Sequence, residues 1–461
     1  MRIALSVERF LPEAYGGGQT YVLRLAQALG DRGHTVTVIT DSREARTSGG
    51  GLRRYSYEGV DVVAVRLPSL EWVEAQAGMG DALVGVFEPA VRDLDPDLVH
   101  LNGHKVALAR VCRDLGIPYV VTAHHPGIVC PAGTLLDDRE SLCKLKAGPG
   151  VCVRCCCTQR AGSAASGRVL ASVPKTVSRV AKKWADAPGT VGFVARALTF
   201  PLAVRASLEA KTELHRPSSS WVAPSRAIAD YLVLNGVERS RVAVVPHGIF
   251  PLNRTALQPF YGRHVRFGYF GTLNRPKGIH ILLGAFGALP RDVLAELHIF
   301  GAAQHPWESE AFEGWLACCP RKDDVRLHGR IAPEGLGRAY ASIDVLVLPS
   351  ICLEVFGLVI LESFSAGRPV IVTESGGPEE LVRHGVDGLI IRRDDAAALA
   401  GALATVASDP RQILGLAEGI RPVRTVAQHV DELVPIYEQA IRERPQKPSG
   451  VTDGAPAQTM G

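Results

Sequence analysis

The 461-residue chain contains no run of roughly eighteen or more uncharged apolar residues, and its opening Met1 to Val7 stretch is followed at once by Glu8 and Arg9. Both features argue against a spanning helix and against a signal peptide. Net charge is scarce as well. Lys plus Arg number 51 against 47 Asp plus Glu, and the resulting +4 is too weak for a nucleic-acid binder held by bulk charge. The ten cysteines lack the secreted setting of a disulfide scaffold, and six of them fall between Cys130 and Cys157, which points to a local thiol site. The expected location is cytoplasmic, with peripheral contact at the inner face of a membrane left open.

What is present is an ordinary globular composition, 46% hydrophobic and 21% charged, which excludes a wholly disordered chain. The length suits two domains of roughly 200 residues. Short apolar runs at Arg2–Val7, Thr35–Thr40, Asp61–Arg66, Leu98–Leu101 and Tyr119–Ala123 alternate with helical patterns. In the first of these patterns Tyr21, Val22, Leu25, Ala26 and Leu29 share one face. After a break the rhythm resumes with Trp221–Ala223 and Arg241–Val245. It then runs through Val265–Phe270, Ala295–Phe300, Val325–His328, Asp344–Leu348, Pro369–Val372 and Gly388–Ile391. Such βα repeats predict an α/β chain of two Rossmann-like, doubly wound parallel-sheet domains facing a cleft, where ligands bind at the carboxyl ends of the strands.

The expected boundaries are residues 1–250 for the first domain, with an insertion at 124–216, and 262–422 for the second. A helix at 423–444 follows, and the Pro-, Gly- and Ser-rich stretch 445–461 reads as a disordered tail. From Thr158 to Arg216 ten Lys or Arg face three Asp or Glu. This segment is either a pair of surface helices with solvated cations or a basic, apolar surface that meets an anionic acceptor or a membrane face.

Glu354 and Glu362 are separated by seven residues, with a helix starting near Gly357. Eight residues of helical rise span about 12 Å, so these carboxylates form no close acid/base pair. They suit hydroxyl-bearing groups at opposite ends of a diphosphate, and the free amides near Phe356, Gly357 and Leu358 offer an anion site between them. Gly16-Gly17-Gly18 follows the first strand and lets phosphate or acceptor approach the backbone, or is only a flexible turn. With Tyr at position 21 the chain lacks G-x-G-x-x-G there, which disfavours a nicotinamide cofactor.

The run from Glu354 through Phe356-Gly357, Glu362, Gly367 and Pro369, followed by Gly376-Gly377-Pro378-Glu379 and His384-Gly385-Val386-Asp387-Gly388, closely resembles glycosyltransferase family 4. Gly271-Thr272-Leu273-Asn274-Arg275-Pro276-Lys277-Gly278 is similar to that family's phosphate loop, and Gly16-Gly17-Gly18, Gly33-His34 and Pro224-Ser225 also match. The resemblance implies a GT-B fold and retaining, metal-independent transfer of a hexose or amino sugar from a nucleoside-diphosphate sugar, UDP above others, to a hydroxyl acceptor. The acceptor could be a glycan, a lipid-linked intermediate or a natural product; no nucleic acid is involved. It implies that Glu354 contacts donor-sugar hydroxyls, Glu362 the ribose and Lys277 the diphosphate, with Arg330 and Ile331 near the base. His124 falls on the family histidine that faces the transferred sugar, and His125 stands where the family has Asp.

Thr272 replaces the family's arginine after the first glycine of the phosphate loop, so either Arg275 reaches the diphosphate or the leaving group is less well stabilised. Gly17, Gly18, Thr272, Arg275 and Lys277 are thus the expected donor loops, and His124 and Glu354 the expected catalytic pair. No Asp-x-Asp run is placed to hold a diphosphate-bound cation. A noncatalytic sugar-nucleotide-binding subunit and a sugar-nucleotide epimerase of the same architecture remain alternatives. Cys130, Cys143, Cys152 and Cys155, spaced C-x₁₂-C-x₈-C-x₂-C, suit a structural tetrahedral zinc, less well an iron–sulfur cluster.

Overall fold

The computed structural model describes residues 1–42, 52–77, 81–215, 219–257, 260, 262 and 264–443. The first sheet contains β1 (Arg2–Ser6), β2 (Thr35–Asp41), β3 (Leu52–Tyr57), β4 (Val60–Val65), β5 (Leu98–Leu101), β6 (Tyr119–Thr122), β7 (Ser219–Ala223) and β8 (Val242–Val244). Their order is β3-β4-β2-β1-β5-β6-β7-β8, and every pairing is parallel except β3 with β4. The second sheet contains β9 (Val265–Phe270), β10 (Ala295–Phe300), β11 (Val325–Gly329), β12 (Val345–Leu348), β13 (Val370–Thr373) and β14 (Gly388–Ile391). It is wholly parallel, in the order β11-β10-β9-β12-β13-β14.

The apolar runs form strands because helices cover both faces of each sheet. β5, β6, β12 and β13 are buried at every residue, which a parallel sheet requires. β3 has no counterpart among the expected strands. Its residues Leu-Arg-Arg-Tyr-Ser-Tyr alternate in exposure, and it lies antiparallel on the sheet edge, joined to β4 by Glu58 and Gly59 at positive φ. An edge strand buries only part of its surface, so exposed Arg53 and Arg54 cost nothing there and the apolar signal disappears.

The insertion lies between β6 and β7. It consists of a Cys-rich loop and the helices Pro149–Ala161, Ala164–Ala171, Lys175–Lys182 and Gly189–Leu214. By length and composition Gly189–Leu214 is long and apolar enough to cross a membrane, although it holds no uncharged apolar run of eighteen residues. Arg196 and Arg205 lie within it, and Ala203, Val204, Leu208, Ala210 and Leu214 are buried inside the protein.

The helix Val426–Arg442 is capped by a reciprocal pair of bonds between Thr425 and Gln428. It packs Val430, Leu433 and Tyr437 against Val22, Leu25 and Leu29 of the first domain. Tyr437 Oη lies 2.7 Å from His100 Nδ1 beneath β5, and Arg32 pairs with Asp431 at 2.6 Å. The expected tail at 445–461 lies outside the described residues.

Leu433 is fully buried in this seam. Leu433→Ala is expected to cost about 2–5 kcal/mol through lost burial and the cavity left behind, read as a lower urea midpoint at an unchanged slope.

Candidate active site

Each sheet has one point where its strand order reverses: between β1 and β5 in the first, between β9 and β12 in the second. Loops leave in opposite directions there and open a crevice. The loop after β9 carries Gly271, Thr272 and Lys277, and the loop after β12 carries Ser350, Glu354 and Phe356. From the first domain, the amino end of the helix Gly17–Gly30 supplies Gly17 and Gly18, the loop after β6 supplies His124, and the segment after β8 brings His247. All of these but Ser350 line a cavity of about 310 Å³ that also touches Tyr21, Gly357 and Leu358.

Two glycines permit this geometry. Gly278, at φ +73, lies where a Cβ would stand 1.8 Å from the Pro349 carbonyl, so the phosphate loop seats directly on the end of β12. Gly357, at φ +104, turns the chain into the helix Leu358–Ser365, whose first amides have no partner within the helix. The backbone of Glu354 is clamped in turn: its N–H donates to Ser375 O and its carbonyl accepts from Gly377 N, both at 2.8 Å.

Lys277 Nζ lies 2.7 Å from Glu354 Oε1, and the Ser350 hydroxyl donates to the same oxygen. Burial alone would push the Glu354 carboxyl up, but the Lys277 ammonium and these hydrogen bonds outweigh it and hold the group below the usual carboxylate range. Burial likewise disfavours the Lys277 charge, and Glu354 overcomes that penalty so that the ammonium is raised. The cavity therefore contains one fixed cation beside one fixed anion.

His124 is partly buried, and burial together with the neighbouring His247 keeps its ring neutral, well below the usual histidine range. Asn102 Nδ2 donates to His100 O, so Asn102 Oδ1 is the atom facing His124 Nε2 at 2.6 Å. The imidazole proton is then on Nε2 and the lone pair on Nδ1. His125 serves the backbone instead, since its Nδ1 accepts from Gly127 N at 2.9 Å and closes the turn Pro126–Ile128.

Glu362 does not line this cavity. It sits beside a smaller one of about 180 Å³, with Arg24, Phe250, Pro333 and Leu336, and the two cavities share Tyr21 and Leu358. Burial raises the Glu362 carboxyl to about 7 despite the Tyr340 hydroxyl, which donates to it at 2.8 Å. Arg330 and Ile331 line neither cavity; Arg330 is exposed, and Ile331 packs on the second-domain core.

Arg275 does not reach the donor loops. Its guanidinium forks onto Glu140 of the insertion, Nε to Oε1 at 2.5 Å and Nη2 to Oε2 at 2.7 Å, on the wall of a separate cavity of about 1030 Å³. A planar fork prefers a carboxylate that can accept two parallel bonds, and the insertion provides one. The four-thiolate expectation also has no assembled site: among the described residues no group of three or more His, Cys, Asp or Glu could hold a metal ion. Burial, with Cys130, Cys143 and Cys152 close by, pushes the Cys155 thiol up, while Cys152 accepts from Gly148 N at 3.4 Å, Cys143 faces Leu145 O at 4.0 Å and Cys155 faces Leu136 O at 3.9 Å.

Tyr21, His247 and Ser350 have no counterpart among the expected site residues. Tyr21 reads as a core position of its helix and is also buried, with its ring 4.6 Å from His124 and 4.5 Å from His247. His247 Nδ1 is sealed from solvent with no hydrogen-bond partner among the described residues. The one available signal is Pro246-His247-Gly248 directly after a strand, which looks equally like linker punctuation.

Comparisons with known proteins agree with this architecture. Residues 16–248 match the family described as glycosyl transferase 4-like domain, and residues 264–409 match glycosyl transferases group 1. A D-inositol 3-phosphate glycosyltransferase of Xylanimonas cellulosilytica is 29% identical over 248 residues, 50% of this chain and 59% of that protein. A glycogen synthase of Mycobacterium tuberculosis is 33% identical over 207 residues, 43% of this chain and 47% of that protein. These matches thus span about half the length of either relative. Among solved structures, sucrose-phosphate synthase from Thermosynechococcus elongatus superposes with a TM-score of 0.68 at 19% identity, covering 96% of this chain and 99% of that one. Anabaena Alr3699/HepE in complex with UDP-glucose gives 0.60 at 18% identity, covering 96% and 98%. The two-sheet arrangement is that of GT-B enzymes.

Glu362 titrates where a pH scan can see it. A buried carboxyl whose folded pKa exceeds its unfolded value is destabilised by ionisation, so the wild-type protein loses stability as pH rises from about 5 to about 8. Glu362→Gln is expected to remove that loss, so that the thermal midpoint of the variant overtakes wild type progressively across this window.

Proposed function

This chain belongs to the glycosyl transferase 4-like family, and from that premise we propose that it moves a hexose or amino sugar from a nucleoside-diphosphate sugar, UDP-linked above others, to a hydroxyl acceptor with retention of configuration. The observation that carries the reading is the Lys277–Glu354 pair at the reversal point of the second sheet, facing Gly17 and Gly18 across the crevice. The UDP-glucose complex of the structurally similar Anabaena protein supports the choice of donor.

In this reading the donor diphosphate enters between the glycine turn and the first amides of the helix Leu358–Ser365, and Lys277 turns from Glu354 to the phosphate oxygens. Glu354 is thereby released, still ionised, to accept hydrogen bonds from the sugar hydroxyls. The bond between the anomeric carbon and the phosphate oxygen breaks as positive character builds on that carbon. The acceptor oxygen bonds on the same face, and its proton passes to the departing phosphate. No side chain needs to act as base; the protein fixes geometry and stabilises charge on the leaving oxygen. Neutral His124, held by Asn102, borders the sugar, and Glu362 in the adjoining cavity meets the ribose. Lys277 supplies the charge that the reaction develops against, so no step is routed through a metal.

A second reading follows from Arg275. With that guanidinium committed to Glu140 and Thr272 in the phosphate loop, Lys277 faces the diphosphate alone, which would also suit a subunit that binds the donor without turning it over. Mass-spectrometric detection of released UDP and transferred sugar across an acceptor panel separates the two. Transfer is expected in wild type, with Lys277→Met and Glu354→Gln each lowering kcat/KM by about 10²- to 10³-fold. Submicromolar donor binding with no product from any acceptor would establish the binding subunit, and donor conversion without acceptor would establish an epimerase.

A further inference from the structure

Among the described residues sixteen large apolar side chains are exposed, and six of them (Val177, Val180, Trp184, Val191, Phe193 and Val194) fall within eighteen consecutive positions. Single exposed apolar residues are ordinary, whereas a cluster on one element marks a surface that meets something. These six stand on a helical hairpin of the insertion, formed by Lys175–Lys182, a turn, and the start of Gly189–Leu214.

The hairpin is built inside out. Its inward positions are small, with Ser178, Ala181, Ala185, Gly192, Ala195 and Thr199 all buried, while the large apolar side chains face outward. The small residues let the two arms close tightly: a Cβ on Gly192 would lie 1.8 Å from Ala187 O, Ser178 Oγ donates to Leu198 O at 2.8 Å, and Arg196 Nε donates to Ala185 O at 2.7 Å. Lys182 pairs with Glu71 at 2.6 Å, and Phe200 packs on Trp72, which fixes the hairpin to the first domain. Its shape therefore owes nothing to the outward residues. Trp184 at 57% exposure and Phe193 at 71% are left in water by a hairpin that folds without them.

The charge pattern identifies the occupant. At about 100° per residue, Val177, Val180 and Trp184 form one stripe of the first arm, and exposed Lys175, Arg179 and Lys183 form the stripe beside it. From position 175 to 196 five cations face a single carboxylate, Asp186. An apolar stripe bordered mainly by cations, on an exposed hairpin that lines none of the three cavities described above, fits a surface that yields to side chains and carries negative charge above an apolar interior.

We propose that this hairpin docks the protein on an anionic phospholipid bilayer, with Trp184 and Phe193 entering the boundary between headgroups and acyl chains while Lys175, Arg179 and Lys183 lie against the lipid phosphates. The docking stands apart from the transfer chemistry, since none of these residues lines the cavity around Lys277.

Flotation of the full chain with phosphatidylcholine vesicles, with and without about one-third phosphatidylglycerol, tests it. Binding is expected only to the anionic vesicles and should weaken as salt is raised. W184S/F193S and R179E/K183E should each lower the bound fraction by about tenfold while UDP binding is retained. Brominated lipid should quench the tryptophan emission of wild type, and Trp184→Phe should abolish most of that quenching, a readout that holds even if the double variants prove unstable. No binding to anionic vesicles, equal binding by wild type and both double variants, or a wild-type dimer in sedimentation that W184S/F193S converts to monomer would each overturn the proposal. Loss of UDP binding in wild type would instead strike the transfer reading and leave this one standing.

Discussion

The site depends on the ion pair between Lys277 and Glu354, a nearly buried carboxylate beside an ammonium about one-third exposed. Without Lys277, burial would push the Glu354 carboxyl up. Each is fixed by the reversal of strand order in the second sheet, which sends the loops after β9 and β12 to opposite sides of one opening. Gly278 then presses the first loop onto the end of β12, and the backbone of Glu354 is pinned to the turn after β13. A charged pair held this rigidly can exchange one anionic partner for another without refolding anything around it.

The two domains meet unevenly around this pair. On the side of the C-terminal helix the chain is locked: Val426 N donates to Ile249 O, Ile249 N donates to Arg424 O, and Gly248 lies so close to the Thr425 carbonyl that no side chain fits. Close to the cavity, Ser225 Oγ donates to Val355 O at 2.6 Å, and Glu380 accepts from the amides of Arg226 and Ala227 at 3.0 and 2.9 Å. A carboxylate of the second domain thus sits at the amino end of a first-domain helix, where its charge is favoured. The insertion side is held by Leu136, buried in the second-domain core, and by Arg275 with Glu140, both about half exposed, a pair that solvent leaves little net strength.

Much of this was legible in the sequence because parallel strands are buried on both faces and announce themselves as short apolar runs. The loops following them inherit functional positions from topology, so Lys277, Glu354 and the glycine turn could be named from spacing and resemblance. What escaped had no such signal. β3 escaped because an edge strand tolerates Arg53 and Arg54. The direction taken by Arg275 depends on Glu140, which lies 135 positions away in an insertion with no periodicity to place it. Tyr21 escaped because a residue can serve the core and border a ligand at once, and its helical spacing reports only the first. Cys130, Cys143, Cys152 and Cys155 come near one another, as their spacing suggested, but spacing says nothing of whether the loop turns the thiols onto one point, and among the described residues they form no ligand group.

The insertion is where the separate parts of the molecule come together. Its loop gives Glu140 to Arg275, its first two helices wall the large cavity beside the phosphate loop, and its hairpin carries the basic, apolar surface. The insertion is therefore tied to the second domain by that exposed ion pair and by Leu136, buried in the second-domain core, and to the first by a buried half-helix, Ala203 to Leu214. A force applied to the hairpin would be transmitted into the first domain through that helix and would reach the second through the loop that carries Leu136 and Glu140.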